Sequence, residues 1–163
     1  MRGDRAELPA RSSAPEILAV AVAAVVVVGG LTLLTTTLEA ALLLGTFAAS
    51  SLLVFAYPDA PFSQPRNVLL GHLIGSACGL TAGHFLPYSW APAVAVGAAI
   101  ALMKLTRTVH PPACSNPLLV CALHQAPWSF LLFPTLTGAG LIILAALFYH
   151  NLRRAARWPK YWF

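Results

Sequence analysis

The chain has 163 residues, 58% of them hydrophobic and 9% charged, with mean hydropathy +0.75 and a formal net charge of +5. A soluble globular domain carries about a quarter charged residues, so the composition excludes that class and points to an all-α, polytopic transmembrane helical bundle. Nor is the positive balance a nucleic-acid-binding face: charges cluster before Ile17 and in Arg153, Arg154, Arg157 and Lys160, leaving only Glu39, Asp59, Arg66, Lys104 and Arg107 between.

Residues 1–15 form a polar N-terminal arm, 16–150 the transmembrane domain, and 151–163 a basic tail. The apolar run 17–38 exceeds the about 7–15 residues of a signal-peptide core, so it is expected to be a retained first span. A second span covers 40–57, and Glu39 alone between the two predicts a tight helical hairpin. The proline-rich break "YPDAPFSQPRN" follows, then a third span over 68–86 and the turn "PYSWAP", whose Tyr88 and Trp90 suit a membrane interface. A fourth span, 91–109, ends at "HPP", and a last one covers 128–149, with His150 expected in an interfacial tail. Between these two lies 113–124, which at about 1.5 Å per residue reaches only about 18 Å. The hydrocarbon core is about 30 Å thick. The spacing therefore predicts about five spans plus a short half-helix or re-entrant segment after the HPP triplet. Five crossings would put the two termini on opposite sides, and a sixth would put them on the same side. The cations that follow the last span predict a cytoplasmic tail by the positive-inside rule.

Gly71, Gly75, Gly79 and Gly83 recur every four residues in the third span. Such a stripe lets a neighbouring helix approach backbone to backbone, in this chain or in another. Cys78, Cys114 and Cys121 are odd in number and lie in apolar sequence without CxxC spacing. They read as small buried hydrophobes, and neither a metal nor a cofactor is expected. No GxSxG, P-loop, dinucleotide fingerprint or carboxylate pair within one span is present, and Ser115 near His110 lacks an acid partner. An enzyme is not expected.

Two stretches share one design, "SQPRNVLLGH" and "TVHPPACSNPLL": an apolar helix meets a proline break, and polar residues open the next apolar run. Proline is accommodated at a first helical turn, so both breaks are expected to be helix N-termini, and since both follow even-numbered spans they are expected on one side of the membrane. Helix N-termini favour anions, and broken helices aim theirs at anionic groups in transporters. Lys104 and Arg107, three apart, share a helix face, while Arg66 stands at the first break. A lone cation in a span costs about 3 kcal/mol on insertion scales, and a mobile anion offsets that cost. Snorkelling of these cations, or an Asp59–Arg66 pair, is the structural alternative. His72, His84, His110 and His124 are each a candidate donor or proton carrier, against the commoner role of a hydrogen-bonded packing residue.

"SQPRNVLLGHLIG", "TRTVHPPA" and the terminal "WPKYWF" together resemble the HPP family of integral membrane proteins. Gln64, Pro65, Arg66, Asn67, Gly71 and His72 match the first motif; Thr106, Arg107, His110, Pro111, Pro112 and Ala113 match the second. The resemblance implies a small multi-span protein, and its plastid and cyanobacterial members imply nitrite transport. One departure stands out: Cys114, followed by Ser115, replaces the glycine that usually follows His-Pro-Pro-Ala.

The resulting expectation is a transporter or channel for a small inorganic anion, nitrite first, in a bacterial inner membrane, as a homo-oligomer in the lipid bilayer. The candidate anion-binding residues are Gln64, Arg66, Asn67, His72, Lys104, Arg107, Thr108, His110, Ala113, Cys114 and Ser115. The other class of reading is a non-transporting interaction subunit packed through the glycine stripe.

Overall fold

The computed structural model describes residues 12–37, 44–124, 126–153 and 157–162. The Glu39 turn and nearly all of the N-terminal arm lie outside them. Among the described residues the chain is built from α1 (Ala14–Thr37), α2 (Leu44–Ala56), α3 (Pro65–Phe85), α4 (Ala91–Leu105), α5 (Asn116–Ala122) and α6 (Thr137–Arg153). Three-residue-per-turn helical turns sit at Pro61–Ser63, Pro111–Ser115 and Trp128–Leu131.

Three segments are long and apolar enough to cross a membrane: Ala14–Leu33, Pro65–Phe85 and Trp128–Arg153. Gly45–Ala56 and Ala91–Leu105 are shorter apolar helices. The helical bundle expected from composition is therefore present, with three full-length spans among the described residues by length and composition. Large apolar side chains cover its outside; Leu18 is 66% exposed, and Val22, Val25, Val26, Ile100, Leu144 and Phe148 are exposed too. An outer surface of this kind suits lipid and not water.

Proline chemistry sets the element boundaries. Gln64 is extended (φ −79°, ψ 149°) and Pro65 opens α3, where a missing N–H is harmless. After α4, Arg107 adopts φ 57°, and the tightened chain lets the Thr108 N–H donate to the Met103 carbonyl at 2.9 Å. Pro111 and Pro112 then open a tight turn instead of an α-helix, which starts only at Asn116. The last span is not one continuous helix, because Phe133 before Pro134 is extended (φ −134°, ψ 119°) and α6 starts at Thr137.

The glycine stripe of α3 packs within this chain. A Cβ on Gly71 would lie 2.7 Å from His110 Cβ, and one on Gly79 would lie 2.8 Å from Val120 Cβ and 2.9 Å from Pro117 Cα. At Gly75 it would run into the Ala113 carbonyl, whereas at Gly83 it would meet Cys121 at an ordinary 3.9 Å. Gly71 to Gly83 thus meet residues 110 to 121 in ascending order, so this segment runs parallel to α3 along much of its length. Likewise α6 runs parallel to α2: Gly138 packs on the Phe47 ring, and the His150 Nε2 bonds the Val54 carbonyl at 2.8 Å. The start of α1, the 57–60 loop and the end of α6 share one cleft, lined by Ser13, Glu16, Pro58, Asp59, His150 and Arg153. Both ends of the described helical domain therefore lie at the same end of the bundle, which also holds the two proline breaks.

The tail departs from a simple solvated segment. Trp158 is 2% exposed; its Nε1–H donates to the Pro58 carbonyl at 3.2 Å, and Asn151 brackets its backbone. His150, expected at an interface, is 1% exposed instead, enclosed by the rings of Phe55, Tyr149 and Trp158. The aromatic tail folding back over α6 removes it from solvent.

Candidate functional site

The two breaks meet, but their polar side chains do different things. At the first break, the Gln64 amide donates to the Pro58 carbonyl (2.8 Å) and the Ala60 carbonyl (3.1 Å), and its oxygen accepts from the Lys160 N–H at 2.8 Å. Asn67 donates to the Val109 carbonyl at 2.9 Å and accepts from the Tyr161 hydroxyl at 3.4 Å. The Arg66 guanidinium donates to the Thr106 carbonyl at 2.9 Å, at the C-terminal end of α4, where a cation is favoured. Asp59 pairs with Lys160 at 3.5 Å, not with Arg66. This break ties the second break and the tail into one unit.

At the second break the histidine turns inward. His110 is fully buried; its Nδ1–H donates to the Phe62 carbonyl at 2.7 Å, and its Nε2 lies 2.8 Å from Ser50 Oγ. Ser50 Oγ is also 2.9 Å from His72 Nε2 and 2.9 Å from the Thr46 carbonyl. On the far side of His72, its Nδ1 lies 3.0 Å from Asn116 Nδ2, which also approaches the His72 carbonyl (3.2 Å) and Ser76 Oγ (3.1 Å). Ser76 continues to Thr135 Oγ1 at 2.9 Å. A hydrogen-bonded chain thus runs from Phe62, near the end of the bundle, through α2, α3 and α5 to Thr135, just before α6. Its six side chains, Ser50, His72, Ser76, His110, Asn116 and Thr135, are all buried.

The non-titrating groups at the edges of this chain fix its direction. A carbonyl only accepts, so Phe62 puts the proton of neutral His110 on Nδ1 and leaves Nε2 as an acceptor. The His72 carbonyl likewise orients the Asn116 amide with its NH2 toward His72, so His72 Nδ1 accepts and its Nε2 carries the proton. The order is then His72 Nε2–H to Ser50 Oγ, and Ser50 O–H to His110 Nε2, so both imidazoles are satisfied. Asn116 Oδ1 is the exception, a buried oxygen with no partner among the described residues. Leaving such a group unpaired costs about 1–3 kcal/mol.

The other sequence candidates are distributed around this chain. Thr108 is buried and 2.7 Å from Thr106 Oγ1; Ala113 is buried against Gly75; Lys104 and Arg107 are exposed at the end of α4. Cys114 packs with Ala99, Met103 and Ala113 and so faces α4, whereas Ser115 faces α2. Ser115 shares with Gly45, Thr46, Ala49, Pro112, Leu118 and Leu119 a groove of about 520 Å³ beside the buried chain. His84 stacks on Trp128 and His124 on Tyr88, at the other end of the bundle from His110. Ser50 and Asn116 were missed by sequence reasoning. A serine in "AASSLL" looks like any small packing residue, but Asn116 carries a full amide inside an apolar run, and such a group faces the bundle interior.

Fold and site together define a polytopic helical membrane protein with a buried polar chain between its helices. The sequence pattern described as "HPP, transmembrane region" matches residues 9–159, and the chain belongs to that family. It is 34% and 33% identical to two transmembrane proteins of Dictyostelium discoideum, over 74% and 76% of its own length. These matches cover 45% and 42% of those proteins, so the chain spans less than half of their length. No solved structure matches.

Proposed function

We propose that the chain transports a small inorganic anion across the membrane, nitrite being the first choice. The observation that supports this reading is the buried chain from His110 to Asn116, which brings polar groups deep into an apolar bundle. Polar groups inside a membrane bundle are costly and generally mark a substrate or ion path. The exposed Lys104 and Arg107, beside the break where this chain begins, give an anion a positive approach. The groove between α2 and the 111–119 segment offers a route past Thr46 and Ser115. The basic tail lies on the cytoplasmic side of a bacterial inner membrane, and copies associate through the exposed apolar faces.

The reading as an interaction subunit held by the glycine stripe has less support, because residues 108–121 of the same chain cover that stripe. Purified protein in liposomes provides the test. Nitrite flux is expected, and Arg107→Ala should abolish it without changing assembly. Absence of flux for nitrite, nitrate, formate and chloride alike would sink the transport reading.

A further inference from the structure

Ser50 sits between two imidazoles and has a third neighbour that matters. With both rings neutral, its hydroxyl proton points at His110 Nε2, 2.8 Å away. The Thr46 carbonyl, at 2.9 Å, is a second acceptor for that same proton. A serine oxygen can accept two hydrogen bonds while donating one. We propose that His72, Ser50 and His110 form a binding site for one proton, with Ser50 as the hydroxyl that reorients when the proton arrives.

The step balances without moving a heavy atom. A proton taken from water adds to His110 Nε2, the ring keeps its Nδ1–H on the Phe62 carbonyl, and the new Nε2–H donates to Ser50 Oγ. The serine hydroxyl rotates from His110 to the Thr46 carbonyl and still accepts from His72 Nε2–H. Every hydrogen bond of the neutral state is kept, or replaced by one to a charged donor. A second proton has no equivalent place. It would have to enter at His72 Nδ1, which faces the Asn116 NH2 at 3.0 Å, beside an imidazolium whose ring centre is 5.1 Å away.

The surroundings offer no competing charge among the described residues. From α2 the triad meets Thr46 and Phe47, from the 61–63 turn the Phe62 carbonyl, from α3 Gly71, and from α5 Asn116. Arg66 is held on the Thr106 carbonyl and Arg107 is exposed. The described carboxylates, Glu16 and Asp59, are exposed in the cleft at the start of α1. The proton therefore adds one positive charge that no described residue compensates, next to the groove between α2 and 111–119. On the transport reading, on which this last step rests, the compensating charge is the anion, and one proton accompanies each anion.

Side-chain 15N spectra of the histidine-labelled full chain in lipid bilayers, from about pH 8 to about pH 4, read the site directly. The expected spectrum at high pH has His72 protonated on Nε2 and His110 on Nδ1. Acidification should convert His110 alone to imidazolium. Ser50→Ala should require about tenfold more acid for that change, the difference between a charged and a neutral hydrogen bond. Ser50→Thr, which keeps a hydroxyl, should restore it. Charging of both rings, charging of neither before the fold is lost, or an unchanged titration in Ser50→Ala would overturn the proposal. In the same liposomes a nitrite gradient should carry one proton per nitrite. Titration without flux leaves the proton site standing and removes the transport reading; flux without the single titration does the reverse.

Discussion

The QPRN and HPP breaks look alike in sequence and are used in opposite ways. At the first, Gln64, Arg66 and Asn67 reach backbone atoms of the 58–60 loop, of 106–109 and of the tail. At the second, His110 reaches inward to a serine and a second histidine. A proline break in a membrane helix frees backbone groups that must be satisfied within the protein. The first break supplies side chains for that task. Its neighbour, once held, is free to aim a titratable ring into the core. Similar local chemistry therefore makes a clamp in one place and a buried polar chain in the other.

The comparison can be broken from the clamp side first. Trp158→Ala removes a buried indole and its bond to Pro58, and should destabilise the protein by about 3–5 kcal/mol, read as a loss of thermal stability in detergent. Gly75→Ala drives a methyl into the Ala113 carbonyl and should cost about 1–3 kcal/mol in the same assay. Gly83→Ala, whose methyl would meet Cys121 at an ordinary contact distance of 3.9 Å, should be near neutral, so the stripe acts through three of its four members. Asn67→Ala leaves the Val109 carbonyl without its donor and should cost about 1–2 kcal/mol. A smaller effect than at Asn67 is expected at Arg107, whose φ of 57° suits glycine. Arg107→Gly should be more stable than Arg107→Ala by about 1 kcal/mol, although both remove the same charge.

Much of the helical order was legible in the sequence, because apolar length and proline position act locally. The apolar runs at 17–38, 68–86 and 91–109 correspond to α1, α3 and α4 within a few residues, although α4 is shorter than a full span, and the short piece after HPP is found as a tight turn and α5. The order of the spans also put both breaks at one end of the bundle, since each follows an even-numbered span. What could not be read depended on long-range contact. Nothing local to "AASSLL" says that Ser50 meets residues 22 and 60 positions away. Gln64 and Asn67 have the same residue types as an anion site, and only the fold shows their donors turned to carbonyls. His150 followed an apolar helix like any tail residue until Trp158 closed over it.

The difference between clamp and core is tested most directly by nitrite flux in liposomes, scaled to folded protein, for Ser50→Ala beside Trp158→Ala. Ser50→Ala should lose at least about tenfold in flux, the effect of one hydrogen bond to a charged group. Trp158→Ala, however unstable, should keep flux per folded molecule within about twofold of the parent. Wild-type flux in Ser50→Ala, or an equal loss in both variants, would contradict the assignment of the functional core to the His72–Ser50–His110 chain.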